Sequence, residues 1–449
     1  MSERGRTLAT AGAAGAAAAL CWLPFGLAPL FPLAFVLAMR GLRRVRTPGE
    51  AVRFGLVFGA ARYAVAAHFL LALLAHSPLA IGIYFMAILF ILPFGILEAW
   101  GALALERYAR LPRSIGFGAL YVIGDWLRTL GDLSFPADRI EHAFGTNPAW
   151  LAPAPWVGAI GVEAGVVAVA VLLDLAIEAR ARRRSPLPWA AGAAALWLAP
   201  LVLDAASGVA ETPASKLRVV VVQPAVTQAD KMRRDRWPAT WRRLEELTAE
   251  AAAGADLVVW PETARPSPVI WEGPGPFEDP EMEAIAAKVR VPVLYGCEIA
   301  RREQGRLVAL YNGAAIAYPD GRPGAWYGKQ HLLPFVEGVP FAKALGLDAR
   351  AAAAGSRKGA LTLLGAFTPG PEPTIFEVGD ARLGVLICFE GMYDSLARRY
   401  REAGANGLVV LTNDAWWGRS VFPRWHARMV ATRAFQYQRI GAETARFAR

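Results

Sequence analysis

Two hydrophobic patterns divide the chain. Up to about residue 206, apolar residues run in long, nearly uncharged stretches; beyond 216 they come in short β-branched runs separated by amphipathic segments. A helix needs about 20 apolar residues to cross a bilayer. Residues 8–23, 25–40, 54–76, 81–104, 115–130, 156–178 and 188–206 are therefore expected to be spans. The first two are tightly joined through LPFG, and the fifth carries a charge, Asp125. Residues 1–23 share the outline of a signal peptide, with two arginines and an Ala-rich core. However, no clean A-x-A site precedes a soluble domain and the next span begins at once, so a retained helix is expected.

The second part reads as a soluble α/β domain. KLRVVVVQP (216–224) is a β-branched run ended by proline, and RWPATWRRLEELTAEAAAGA places Trp241, Leu244 and Leu247 on one helical face. DLVVWPET (256–263), VPVLYGCEIA (291–300) and LVALYNGAAIAYPDG (307–321) read as strands. TIFEVGDARLGVLICFE reads as a hairpin turning at Gly379-Asp380. The stretch YDSLARRYREAGA predicts a helix leading into NGLVVLTNDAWW (406–417), and a last helix is expected over about 422–439. EAAAGADLVVWPE (250–262) and REAGANGLVVLTN (401–413) echo each other as helix end, Gly-Ala stop, buried strand and polar residues. That echo predicts two packed sheet layers with helices outside.

Composition sharpens this division. The 449 residues exceed one typical domain, and 55% of them are hydrophobic, more than a soluble protein usually carries. The expected organisation is a transmembrane domain of about seven helices over 1–206 and a catalytic domain over 207–449. The net charge of +10 invites a nucleic-acid partner, but its distribution argues against one. The first 206 residues contain 17 arginines and no lysine. Fourteen of these arginines fall in 1–7, 40–53, 105–114 and 179–187, the cytoplasmic pieces if the N-terminus is inside, whereas Arg139 falls in an outside loop. An odd number of spans then exports everything after 206. Asp125, Glu98 and Glu163 lie in or near spans, where carboxylates are either functional or caps near the interface. Three cysteines without a CxxC argue against a disulfide framework, and with five histidines they are too few for a zinc site. No metal or other cofactor is expected.

Three strands end at residues with chemistry. Glu262 follows LVVW-P, Cys388 follows GVLI, and Asn413 and Asp414 follow LVVLT. Open α/β sheets commonly place sites at strand carboxyl ends. A cysteine is the nucleophile suited to acyl transfer, but only as thiolate, and it needs a base. Glu262, beside Trp260 and Pro261, is a candidate base. Lys329, in the apolar-aromatic loop AWYGKQHLLPFVEGVP (325–340), can stabilise an oxyanion, with the backbone N–H of Phe389 as a second donor. Each residue also has an ordinary reading: a strand cysteine as buried filler, a Glu after Trp-Pro as a turn residue, a loop lysine as solvated. Cys297 reads as core. His331 and His426 leave a Cys-His pairing open.

The chain resembles the nitrilase superfamily and, more narrowly, its membrane-fused branch, the apolipoprotein N-acyltransferases. The resemblance rests on the multi-span first half together with VVVQPAV, VVWPETA, YGKQHLLPFVEGVP, FTPGPEP, GVLICFE and LTNDAWWG. It implies an α-β-β-α sandwich in the second domain, on the periplasmic side of the bacterial inner membrane. It also implies a Glu262-Lys329-Cys388 triad and a reaction in two half-steps, in which Cys388 takes an acyl chain from a phospholipid as a thioester and passes it to the α-amino group of a diacylglyceryl-cysteine lipoprotein. Glu337 matches a loop carboxylate that positions Lys329 or the base, and Glu390 matches an acid that orders the pocket. Trp416 and Trp417 match a mobile aromatic arm near the lipid entrance, with Asn413 beside it, and Tyr311 and Asn312 match an architectural pair. Residues 341–367 read as an arm near the membrane surface.

Two departures follow from the same comparison. The family continues into closing strands and an eighth span, whereas this sequence stops at ETARFAR (443–449), so an unpaired sheet edge is expected there. Where the family often has Trp in a Q-S-L-K-W-like stretch, this chain has Met232 in QADKM. A membrane-tethered amidase that hydrolyses its thioester, and an inactive scaffold homologue with a short C-terminus, are the competing readings.

Overall fold

The computed structural model describes residues 2–207, 217–273, 275–341 and 367–436. Most of the arm expected over 341–367, and the sheet edge expected beyond 443, lie outside the described residues. Contacts divide the chain into two compact units. One comprises the helices up to Leu130 and from Pro136 to the end of the last apolar helix, together with Trp416–Gln436. The other comprises Gly131–Phe135 and the sheets up to Ala415. Two segments thus depart from a single cut at 206: Gly131–Phe135 belongs to the sheet unit, and the last helix belongs to the helical one.

In the helical unit, each expected span overlaps a helix, though the second helix starts later than expected and the end of the third span is a 3-10 segment, Ala67–Ala75: α1 (Glu3–Trp22), α2 (Phe31–Leu42), α3 (Pro48–Ala66), α4 (Ala80–Ala109), α5 (Arg113–Leu127), α6 (Ala154–Ala181) and α7 (Leu187–Ser207). Among the described residues, four stretches are long and apolar enough to cross a membrane: Pro48–Ala75, Ala80–Ala109, Ala154–Ala181 and Leu187–Ala206. The helices α2 and α5 have 12 and 15 residues, and α1 is Ala- and Gly-rich, which lowers its hydropathy. The start of α3 carries a reciprocal capping box between Thr47 and Glu50. Farther along, α3 meets α4 through glycine: a Cβ on Gly55 would stand 2.2 Å from the Gly95 carbonyl oxygen, so only glycine permits this approach.

The carboxylates noted in the spans, Glu98, Asp125 and Glu163, are buried. Asp125 pairs with Arg128 and stands 3.6 Å from Arg62, and Asp138 lies 2.6 Å from Arg62 and also pairs with Arg128. Glu163 accepts from Arg139 at 3.1 Å and from the Ile140 amide at 2.9 Å, so Arg139 is an internal ion-pair partner rather than a solvated loop charge.

The sheet unit contains two layers. The first has β1 (Val219–Val221), β2 (Leu257–Val259), β3 (Val269–Glu272), β4 (Val293–Glu303), β5 (Arg306–Ala317) and β6 (Trp326–Gly328), in the order β1-β2-β4-β5-β6 with β3 also on β4. The second has β7 (Ile375–Val378), β8 (Ala381–Ile387) and β9 (Gly407–Leu411) in that order. Strand alternation separates two cores. Leu257, Val259, Leu294 and Ile316 pack with Phe376, Val385 and Ile387 of the second sheet. Val258, Trp260, Tyr295 and Cys297 face Leu244 of α8 (Trp237–Ala251) and Met282 and Ile285 of α9 (Pro280–Val289). Leu396 and Tyr400 of α10 (Asp394–Glu402) pack with β8 residues in the inner core. The short strands β3 and β6 and helix α9 have no counterpart in the sequence reading.

The internal echo is structural. In each sheet a parallel pair is joined through a helix: β1 to β2, and β8 to β9. Asp256 exchanges two bonds with Arg218, its carboxylate accepting from the Arg218 amide at 2.7 Å and its amide donating to the Arg218 carbonyl at 2.8 Å. Asn406 repeats this with Arg382, at 2.8 and 2.9 Å. The two parallel units then lead, at their carboxyl ends, to Glu262, Cys388 and Asn413.

Candidate active site

Glu262 is set by a tight backbone approach. The chain leaves β2 through Trp260, whose indole N–H donates to Thr248 Oγ1 at 2.9 Å, and turns at Pro261. Gly296 on β4 lies under this turn; a Cβ there would stand 2.4 Å from the Pro261 carbonyl oxygen and 2.6 Å from Glu262 Cα. The residue after the acid, Thr263, has φ of 46°, a left-handed conformation that a β-branched residue rarely adopts. The Glu262 carboxylate is held at both oxygens: Oε1 accepts from Asn312 Nδ2 at 2.8 Å, and Oε2 from the Asn413 backbone amide at 2.8 Å.

Lys329 follows β6, and its amide donates to the Asn312 carbonyl at 2.8 Å. Its side chain is 1% exposed, and its ammonium lies 2.8 and 2.9 Å from the two Glu337 oxygens. Burial opposes the charge of Lys329, but the carboxylate of Glu337, with Cys388, Glu262 and Glu390 nearby, holds its proton well above the ordinary lysine range. Glu337 is oriented by the Leu333 amide at 2.8 Å and shares Asn312 Nδ2 at 3.1 Å. One asparagine amide therefore bridges the two carboxylates.

Cys388 stands at the end of β8 with φ of 55° and opens a short 3-10 turn, Cys388–Met392. Strained conformations of this kind concentrate where a side chain must be presented. The residue as a whole is half-buried. Burial, and then the charge of Glu262, push its ionisation upward, whereas Lys329 pulls it down. The Cys388 thiol therefore lies within the electrostatic reach of both the Glu262 acid and the Lys329 ammonium. Cys297, by contrast, lies fully buried among Tyr295 and Ile299, and burial, then Asp279, drive its thiol upward against the pull of Arg265.

Glu390 is buried beneath the turn that carries Cys388. Its Oε1 accepts from the Tyr327 hydroxyl at 2.8 Å and from the Gln330 and His331 amides at 2.7 and 3.1 Å; Oε2 accepts from the Ile387 amide at 2.8 Å. It ties the turn carrying Cys388 to the loop carrying Lys329. Burial raises Glu390 to about 7 against the pull of Lys329 and these donors. His331 stacks on Tyr393 at 4.2 Å between ring centroids, a structural placement rather than a pairing with the thiol.

The structure brings Glu262, Lys329, Cys388, Glu337, Phe389, Glu390 and Asn413 into one unit. Trp416 and Trp417 belong to the helical unit. Trp417 is buried there, with ring centroids 5.3 Å from Phe69 and 4.3 Å from Phe422, and the Trp416 carbonyl is 3.1 Å from His76 Nε2. Trp416 is half-buried, its ring 5.3 Å from that of His76.

Several residues of the site were not read from the sequence. Asn312, taken as architectural, contacts both carboxylates. Lys231 donates to the Glu262 carbonyl at 3.1 Å and to Thr263 Oγ1 at 2.9 Å, and Gln228 accepts from Asn413 Nδ2 at 3.0 Å. Burial pulls the Lys231 ammonium down to about 8 against the charges of Glu262 and Glu298. Gly131–Phe135 also reaches the site: the Tyr393 hydroxyl bonds to Ser134, Phe135 packs 5.9 Å from Phe389, and Asp132 accepts from the Phe341 amide at 2.9 Å. The i,i+3 spacing of Gln228 and Lys231 was a readable signal for one shared face; the others had none. Among the described residues, no group of three His, Cys, Asp or Glu side chains could hold a metal ion.

Comparison with known proteins bears on this arrangement. Residues 218–448 match the carbon-nitrogen hydrolase family, and residues 14–172 match the apolipoprotein N-acyltransferase N-terminal domain. An apolipoprotein N-acyltransferase from Azotobacter vinelandii is 31% identical over 94% of this chain and 80% of its own length. The chain belongs to the apolipoprotein N-acyltransferase family. Other members are similar over comparable lengths: that of Geobacter metallireducens is 27% identical over 92% of this chain and 78% of its own, and that of Pseudomonas putida 29% over 94% and 82%. In this family member, the two matched regions correspond to the helical first half and the sheet-containing second half.

Proposed function

We propose that this acyltransferase moves an acyl chain from a phospholipid to the α-amino group of a diacylglyceryl-cysteine lipoprotein, through a thioester on Cys388. The observation that carries the reading is that Glu262 and Lys329 share one hydrogen-bond network through Asn312 and Glu337, and that the charges of both bear on the Cys388 thiol. Glu262 takes the Cys388 proton as sulfur attacks the ester carbonyl. The tetrahedral oxyanion is stabilised by Lys329, together with the Phe389 amide. Collapse expels the lysophospholipid alkoxide, which receives the proton from Glu262, and leaves the thioester. The lipoprotein amine then attacks. Glu262 takes a proton from nitrogen, the amide forms, and the departing thiolate is reprotonated. Glu337 and Glu390 hold the lysine and the nucleophile turn.

Both substrates carry chains that are costly to remove from a bilayer, which accounts for fusing this chemistry to apolar helices. The arginine distribution supports a periplasmic catalytic domain at the inner membrane.

The test uses the full chain in detergent micelles with a phospholipid. Mass spectrometry should find an acyl adduct on Cys388, and a diacylated lipopeptide should remove it to give a triacylated product. Release as free fatty acid instead would favour an amidase, and absence of the adduct a scaffold.

A further inference from the structure

A one-turn helix outside the triad grips the acid from two sides. Gln228–Lys231 follows β1 and is capped by Thr227, whose hydroxyl accepts from the Asp230 amide at 3.2 Å. Residues three apart on a helical turn share a face, and here they reach different parts of one catalytic carboxylate's support. Lys231 donates to the main-chain oxygen of Glu262 and to the hydroxyl of Thr263, the residue held at positive φ. Gln228, itself buried, accepts from the Asn413 side chain, while the Asn413 backbone amide donates to Glu262 Oε2. The adjacent Met232 is 72% exposed, so the residue beside Lys231 points away from this work.

We infer that Gln228 and Lys231 are positioning residues for Glu262, one fixing the strained turn that carries it and the other fixing the amide that orients its second oxygen. The inference rests on the reading of Glu262 as base. Neither side chain contacts the reacting atoms; both act through a neighbour. Lys231 is half-buried, and its ammonium donates to two oxygens of the Glu262–Thr263 turn. Burial pulls its ammonium downward, against the charges of Glu262 and Glu298.

The experiment measures thioester formation on Cys388 in single turnover, using the full chain in detergent micelles with dioleoyl phosphatidylethanolamine at increasing concentration. Lys231→Met should lower the limiting rate about 10- to 100-fold, the range a misplaced catalytic group produces. The half-saturating phospholipid concentration should stay within about twofold of the parent value, because the support acts on chemistry rather than binding. Gln228→Ala should act in the same direction, and aminolysis of the thioester by a diacylated lipopeptide should slow in parallel, since one base serves both steps. Lys231→Arg, which keeps N–H donors, should recover part of the rate. If Lys231→Met fails to fold, Gln228→Ala carries the test. An unchanged limiting rate in folded variants, or a loss confined to half-saturation or thermal midpoint, overturns the inference. A Glu262→Gln variant that forms thioester at the parent rate would instead remove the base assignment on which it stands.

Discussion

Asn312 Nδ2 donates to Glu262 Oε1 at 2.8 Å, and the same nitrogen lies 3.1 Å from Glu337 Oε1. The carboxylates are acceptors, so the amide must turn its nitrogen toward them. Asn312→Ala leaves both carboxylates with one donor fewer and should slow thioester formation about 10- to 100-fold. Asn312→Asp replaces the donor with a third acid and should be more damaging than alanine. Single-turnover mass spectrometry of Cys388 checks the order; equal rates for asparagine and aspartate would remove the bridging role.

The electrostatics of Cys388 predict opposite pH shifts from two neighbours. Lys329 favours the thiolate, so Lys329→Met should move the pH profile of Cys388 alkylation by iodoacetamide to higher pH. Ionised Glu262 disfavours the thiolate, so Glu262→Gln should move it to lower pH while abolishing acyl transfer from phospholipid. Shifts in the same direction for both variants would contradict this arrangement of charge.

Gly296 admits the Pro261–Glu262 turn because it has no Cβ. Gly296→Ala should destabilise the chain by about 1–3 kcal/mol, the usual cost of overpacking. Any folded fraction should form thioester slowly, because the added methyl displaces the acid's backbone. Thermal midpoint and single-turnover rate, measured on one preparation, test both parts.

Tyr393 links Ser134 to His331. Its hydroxyl donates to the Ser134 carbonyl at 2.9 Å and lies 3.0 Å from Ser134 Oγ, while its ring stacks on His331. Tyr393→Phe keeps the stack and loses the bonds, at an expected cost of about 1 kcal/mol, readable as a lowered thermal midpoint. Tyr393→Ala, which loses both, should cost more; a smaller loss for alanine would show that the stack contributes nothing.

In the helical unit, Arg128 holds Asp125 and Asp138 in a buried setting. Arg128→Met leaves those carboxylates to Arg62 alone and should destabilise the full chain by about 3–5 kcal/mol, as removal of one partner from a buried pair does. Thermal unfolding in detergent checks it. A near-neutral effect would mean that Arg62 alone suffices for both acids.

The sequence by itself determined the helical first half, most strands of the second and the positions where three strands release Glu262, Cys388 and Asn413. These features were legible because burial imposes a local period on the chain, and because proline, glycine and polar residues mark where a run stops. It did not disclose that Asn312 touches both carboxylates, that Lys231 and Gln228 brace the acid, that Gly131–Phe135 joins the sheet unit, or that Trp417 packs among helices. Asn312 acquires its place from β-strand register, and Ser134 from a contact spanning 259 residues of sequence. Only tertiary structure decided those matters, since a local hydrophobic period records which face is buried but not which distant residue that face will meet.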